Sequence, residues 1–180
     1  QYYSIASATV TVNNVPGGVT AYNGGTQCGG SRTLTAGGGT NGTIYWQGTT
    51  SNGTSTATPS TNQTVSSSGT YYFRALNGCG WSAQGSATIS IITLPANPSP
   101  TATPSLICGS GSSSLSATVS DAIIYWYTGS CGGALIGTGN SITVSPATTT
   151  TYYASAYNAT TGCWSSTCGS VTVTFSIVPD

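Results

Sequence analysis

One alternating segment occurs three times in this chain of 180 residues, and it constrains the fold more than any other feature. It runs GSVTVTFSIVP from Gly169 to Pro179, GSATISIITLP from Gly85 to Pro95, and ASATVTVNNVP from Ala6 to Pro16. In each copy apolar and hydroxyl residues alternate with a period of two, the pattern of a strand with one buried face. A proline, which cannot donate to a sheet ladder, ends each copy. The last two copies each close a domain. The first has no domain before it, so residues 1–14 are expected to form an orphan strand.

The remainder of the chain is a tandem duplication. Cys28, Tyr45-Trp46, Tyr71-Tyr72 and Cys79 in the first half answer to Cys108, Tyr125-Trp126, Tyr152-Tyr153 and Cys163 in the second. The spacing from Cys28 to Trp46 is the same as that from Cys108 to Trp126. Strands are expected at 32–36, 44–47, 70–76 and 86–92. The domains are then 15–94 and 101–180, joined by a stiff proline-rich linker at 95–100. With no helical periodicity and turn signals at short, regular intervals, each half reads as a β-sandwich. Trp46 and Trp126 belong in the two cores, each under a Tyr-Tyr strand. Trp81 and Trp164 fall in loops, where they either cover the end of a sandwich or stand free to stack on sugar.

Composition narrows function chiefly by exclusion. Charged residues are 2% of the chain, with no His, Lys or Glu; Arg32, Arg74, Asp121 and Asp180 are the only charged side chains. General acid–base catalysis has nothing to tune near neutral pH, and a Ser or Cys nucleophile lacks its usual base. Two arginines cannot supply a nucleic-acid footprint. Calcium would need more carboxylates, and the Cys spacing fits no zinc pattern. The chain is therefore expected not to be an enzyme and to need no metal or cofactor.

The six cysteines suit an oxidising compartment and a disulfide framework. No membrane-length apolar run exists, so no membrane insertion is expected, and a leader is expected to have been removed ahead of Gln1. A surface this poor in charge must be hydrated by hydroxyls and amides, covered by sugar, or buried in an assembly. Asn41, Asn52, Asn62 and Asn158 each head an N-x-Thr triplet and are candidate glycosylation sites.

The run Ile124-Tyr125-Trp126-Tyr127-Thr128-Gly129-Ser130-Cys131-Gly132-Gly133, followed by Ile136 to Pro146 and then by Thr149 to Tyr153, resembles bacterial Ig-like repeats. These occur in very large surface proteins and adhesins of gliding and secreting bacteria. The likeness covers 100–178 closely. It covers 15–94 more loosely, because the first half lacks the Cys131-Gly132-Gly133 segment. It implies an extracellular Ig-like sandwich of the kind in adhesins and surface fibres, and no catalytic residue. With the duplication and the orphan strand, the expected fold is all-β, two tandem Ig-like β-sandwiches preceded by an unpaired N-terminal strand.

Two disulfide maps remain open. If bonds are gained and lost together, Cys28–Cys79 and Cys108–Cys163 are equivalent and Cys131–Cys168 is added; this is the preferred set. Ig topology objects, because it separates the first two pairs by the length of a sandwich, beyond the ~7 Å reach of a disulfide between Cα atoms. The alternative is Cys108–Cys131 and Cys163–Cys168, with Cys28 and Cys79 free or bonded across domains or subunits.

The leading functional expectation is a structural subunit of an extracellular, glycosylated surface fibre. Residues 1–14 would add as a strand to a neighbouring copy, Ala8, Val10 and Val12 facing the acceptor, and the chain would polymerise head to tail. The alternative is an adhesive, carbohydrate-binding module of a large adhesin, using Trp81 or Trp164. Expected partners are thus copies of itself and glycans or surface polysaccharide. The short repeat of a threonine-array ice binder is absent.

Overall fold

The computed structural model describes residues 13–177. The expected orphan strand, with Ala8, Val10 and Val12, lies outside them except for Asn13 and Asn14. Among the described residues regular structure is entirely β. The chain divides into two compact units, Gln1–Ile91 and Ile92–Asp180.

The first unit carries β1 (Val19–Tyr22), β2 (Gly25–Cys28), β3 (Arg32–Gly38), β4 (Thr43–Trp46), β5 (Asn62–Val65), β6 (Gly69–Asn77), β7 (Gly80–Trp81) and β8 (Gly85–Ile92). One sheet runs β1-β3-β5 and the other β2-β8-β6-β4, with β7 on the end of β6. Between them lie Val19, Leu34, Val65, Tyr71, Phe73, Ala75, Ala87 and Ile89. The expected strands at 32–36, 44–47, 70–76 and 86–92 all form, with ends shifted by a residue or two. In β8 the alternation becomes burial: Gly85, Ala87 and Ile89 face inward while Ser86, Thr88 and Ser90 face water.

The second unit repeats the plan with β9 (Thr101–Thr103), β10 (Leu106–Cys108), β11 (Ser113–Ser116), β12 (Ile123–Thr128), β13 (Ala134–Thr138), β14 (Ser141–Val144), β15 (Thr150–Asn158), β16 (Cys163–Trp164) and β17 (Gly169–Ser176). Its sheets are β9-β11-β14 and β10-β17-β15-β12-β13, with β16 on β15. β10 runs parallel to β17, Leu106 opposite Thr174 and Cys108 opposite Ser176. All other pairings here are antiparallel.

The two central tryptophans differ. Trp126 is fully buried, and its indole Nε1 donates to the Gly139 carbonyl at 2.9 Å. Trp46, expected in the core, is only half-buried at its edge, stacked on Tyr71 with ring centres 5.3 Å apart. The cause is β13, which pairs with the Trp126 strand and has no counterpart among the described residues of the first unit. There the edge of β4 away from β6 carries only an isolated bridge from Tyr45 to Pro59.

Residues 95–100 are not a free linker. Pro98 is buried, and Asn97 Oδ1 accepts from Ser166 Oγ at 3.2 Å and from the Thr167 N–H at 3.1 Å. Gly169 permits this approach, since a Cβ there would collide with the Pro98 carbonyl. The segment is therefore part of the second unit.

The charge-poor surface is ordered by paired hydroxyls. Thr33 and Thr64 meet at 2.8 Å, Thr70 and Thr88 at 2.9 Å, and Thr151 and Thr172 at 2.8 Å, each pair spanning neighbouring strands. Such cross-strand pairs contribute about 0.2–1 kcal/mol each and need no ions. Among the described residues no buried side-chain nitrogen or oxygen lacks a partner.

Candidate functional site

The candidate site grows from the hairpin that follows the long central strand in each unit. In both, a Trp-Ser pair ends the hairpin. Ser82 is buried; its Oγ accepts from the Ala75 N–H at 2.9 Å and donates to the Ala83 carbonyl at 2.8 Å. Ser165 Oγ likewise accepts from the Ala156 N–H at 3.1 Å and donates to the Thr167 carbonyl at 3.0 Å. The repeated Trp-Ser pair was the sequence signal for this anchor, although its role could not be read from spacing alone. With the serine fixed, the preceding tryptophan packs edge-on against a tyrosine of the same sheet, Trp81 on Tyr45 and Trp164 on Tyr125.

What covers that tryptophan differs. In the first unit Arg74, opposite Tyr45, places its guanidinium 5.3 Å from the centre of the Trp81 ring. Its Nε and Nη2 donate to the Ser82 carbonyl at 3.0 and 2.9 Å, and Nη1 reaches the Asn52 and Gly53 carbonyls at 3.1 and 3.2 Å. The buried Gln47 clasps the same loop, accepting from the Ser55 N–H at 2.9 Å and donating to the Ser55 carbonyl at 3.0 Å. Trp81 is half-buried as a result.

In the second unit the residue opposite Tyr125 is Ser155, too short to cover anything. Trp164 stays 42% exposed, whereas Trp81 is half-buried, yet it is held by ring contacts. Its ring centre is 4.9 Å from Tyr125 and 4.6 Å from Tyr157. Beside it opens a hollow of ≈ 300 Å³ lined by Tyr127, Ser155, Trp164, Thr167 and the Cys131–Cys168 disulfide. That is an aromatic platform with a hydroxyl rim, fixed before any ligand arrives. Of the two tryptophans proposed for sugar contact, only Trp164 has an open face of this kind.

The cysteines correct part of the expected framework. Cys131–Cys168 is formed, with Cα atoms 5.8 Å apart. Cys28 and Cys163 are each disulfide-bonded, whereas Cys79 and Cys108 are exposed free thiols. The expected pairs Cys28–Cys79 and Cys108–Cys163 are therefore not made, nor are the alternatives Cys108–Cys131 and Cys163–Cys168. Topology is the reason. Cys108 lies opposite Ser176 at one end of the sheet, and Cys163 lies opposite Asn158 at the other. The length of β15 between them, roughly 25–30 Å at the usual strand rise, far exceeds a disulfide's reach.

Asn41, Asn52 and Asn62 are exposed. Asn158 is half-buried, and its Oδ1 accepts from the Thr160 and Thr161 N–H groups at 2.9 and 3.0 Å. It is the least open of the four candidate glycosylation sites. No group of three or more metal-ligating side chains forms among the described residues, and none of their helices is long and apolar enough to cross a membrane.

Two facing sheets with a parallel edge strand, a buried central tryptophan and a disulfide define the second unit as an Ig-like β-sandwich. Residues 95–176 match the family described as "Ig-like domain CHU_C associated", a bacterial Ig-like domain of surface proteins. No curated protein matches the chain. Among solved structures, murine CEACAM1b is similar at 14% identity and TM-score 0.40, over 89% of this chain and 100% of that one. The three N-terminal domains of the bacteriophage RB49 Highly Immunogenic Outer Capsid protein are similar at 13% identity and TM-score 0.44, over 89% and 70%.

Proposed function

We propose that the chain is a non-enzymatic structural module of an extracellular, glycosylated bacterial surface fibre, built from two tandem Ig-like domains. Copies join head to tail when residues 1–14 of one add as a strand to the next, without any cofactor. The observation that carries this reading is the edge strand β13. Among the described residues it pairs only with β12 in its sheet, and it exposes Leu135 at 55% and Ile136 at 39%. An open apolar edge accepts an extended segment by main-chain pairing and is a hazard when left bare. Both sandwiches already contain their own closing strands, β8 and β17, so the added strand would extend a sheet rather than fill a gap. Ala8, Val10 and Val12 would then lie beside Leu135 and Ile136.

Negative-stain electron microscopy of the chain beside a version lacking residues 1–14 tests this. Filaments from the first and single particles from the second are expected. Leu135→Lys, at an exposed position, should also give single particles. Filaments from all three would refute strand addition at β13.

The Trp164 platform favours a second reading, an adhesive module that binds carbohydrate. Sugars present apolar C–H faces to aromatic rings and hydroxyls to a polar rim, and this hollow offers both. Binding on a glycan array that is lost in Trp164→Ala and kept in Trp81→Ala would support it. Equal loss in both variants would count against it.

A further inference from the structure

Each unit carries one free thiol, Cys79 in the first and Cys108 in the second. Cys79 sits in the β6–β7 hairpin, where the incoming chain passes. Its Sγ donates to the Asn13 carbonyl at 3.1 Å, and Asn77 Nδ2 donates to the Asn14 carbonyl at 2.8 Å. Both groups border an open concavity of ≈ 570 Å³ walled by Asn13, Asn14, Asn41, Asn77, Gly78 and Cys79. Cys108 marks the outgoing end. It is the last residue of β10, opposite Ser176, and the next N–H, that of Gly109, donates to the Ser176 carbonyl at 2.8 Å.

The duplication supplies the internal control. Cys28 ends β2 as Cys108 ends β10, and β2 follows β8 in the same direction, since Val19 and Ala21 adjoin Gly85 while Gly24 adjoins Thr88. Cys28 therefore marks the outgoing end of the first unit. Cys163 opens β16 in the hairpin equivalent to that of Cys79, at the incoming end of the second unit. These two equivalents are disulfide-bonded, and their counterparts in the other unit, Cys79 and Cys108, are free. Unpaired cysteines in a disulfide-bearing chain point to intermolecular bonding.

We infer that Cys108 of one copy forms a disulfide with Cys79 of the next, locking a head-to-tail array covalently. The inference rests on the array reading above but not on how the N-terminal strand docks. Two thiols lose two electrons and two protons to a disulfide oxidant, which is reduced to two thiols; one S–S bond forms between copies as one breaks in the oxidant. The β6–β7 hairpin and the end of β10 are both exposed, so no strand need open for the sulfurs to meet.

The test uses the full chain incubated with oxidised glutathione and run on a non-reducing gel, with bonds mapped by peptide mass spectrometry. Wild type should give a ladder that collapses on reduction and yields a Cys79–Cys108 peptide. Cys79→Ser and Cys108→Ser alone should remain monomeric, and a mixture of the two should stop at dimers. Unchanged thermal melts would verify that both variants fold. A wild type without a ladder, single variants that dimerise as readily as wild type, or a map placing the bond within one chain would overturn the inference. A ladder that persists without residues 1–14 supports the disulfide and counts against strand addition. Filaments whose Cys79 and Cys108 remain titratable overturn the disulfide and leave strand addition standing.

Discussion

Arg74 lies 5.3 Å over Trp81, and the equivalent of Arg74 beside Trp164 is Ser155. One exchange of residue type thus separates a covered tryptophan from an open one on two copies of the same scaffold. Among the described residues Arg74 has no carboxylate partner. It is satisfied by three backbone carbonyls, those of Ser82, Asn52 and Gly53, and it ties the 47–55 loop to the end of the sheet.

Arg74→Ala should therefore cost the first unit about 2–4 kcal/mol, by loss of several charge-assisted bonds and the ring contact. Arg74→Lys should recover only part of this, because an ammonium cannot fork between carbonyls on two segments. Urea unfolding followed by tryptophan fluorescence measures both. An alanine variant with an unchanged transition would show that the loop holds without its guanidinium.

The converse change should close the open site. Ser155→Arg is expected to lay a guanidinium over Trp164 and to reduce quenching of its fluorescence by acrylamide. Trp81→Phe in the background simplifies the signal. Quenching equal to that of the parent would mean that the second unit cannot hold the arginine in this pose.

Much of the architecture was legible in the sequence because it rests on short-range signals. The period-two runs gave β6, β8, β15 and β17, and the duplicated Cys, Tyr-Trp and Tyr-Tyr positions aligned the two halves. Matters that depend on what crosses from elsewhere were not legible. Trp46 and Trp126 occupy like places in sequence, but only Trp126 has β13 beside it. Residues 95–100 look like a spacer until Gly169 admits Pro98. Cys28 and Cys79 match Cys108 and Cys163 in the alignment, but matching positions on a duplicated scaffold need not be bonding partners. Ser155 carries no local mark of importance; it matters because Arg74 stands in its place in the other unit.

Cys131–Cys168 closes a separation of 37 residues. Chain-entropy reasoning makes its loss cost roughly 3–4 kcal/mol. Replacing both cysteines with alanine should lower the melting transition of the second unit and spare that of the first. Calorimetry resolves the two. Because the bond also borders the Trp164 hollow, its removal should loosen the 165–168 loop, visible as faster amide exchange there.

Stability should vary little from about pH 5 to 9, since the chain has two carboxylates and no histidine. At the alkaline end Tyr152 matters: burial raises the pKa of its phenol above the ordinary 10.0, the Thr150 hydrogen bond opposing this in part. The unfolded chain then releases this proton at lower pH than the folded one, so above about pH 10 it binds fewer protons and stability falls as pH rises. Tyr152→Phe should flatten that decline in alkaline urea titrations. A decline of the same slope in the variant would assign it to other groups.

The way Arg74 is engaged has a consequence for durability. An enzyme that cuts after basic side chains finds no lysine here and only two arginines. One of these is Arg74, in the middle of β6 with its guanidinium engaged by the protein's own carbonyls. The other, Arg32, begins β3 and is half-buried, with Nη1 on the Thr26 carbonyl. While the fold lasts, trypsin-like digestion has little to grip, and the same economy of charge makes the surface resistant to one of the commonest means of degradation.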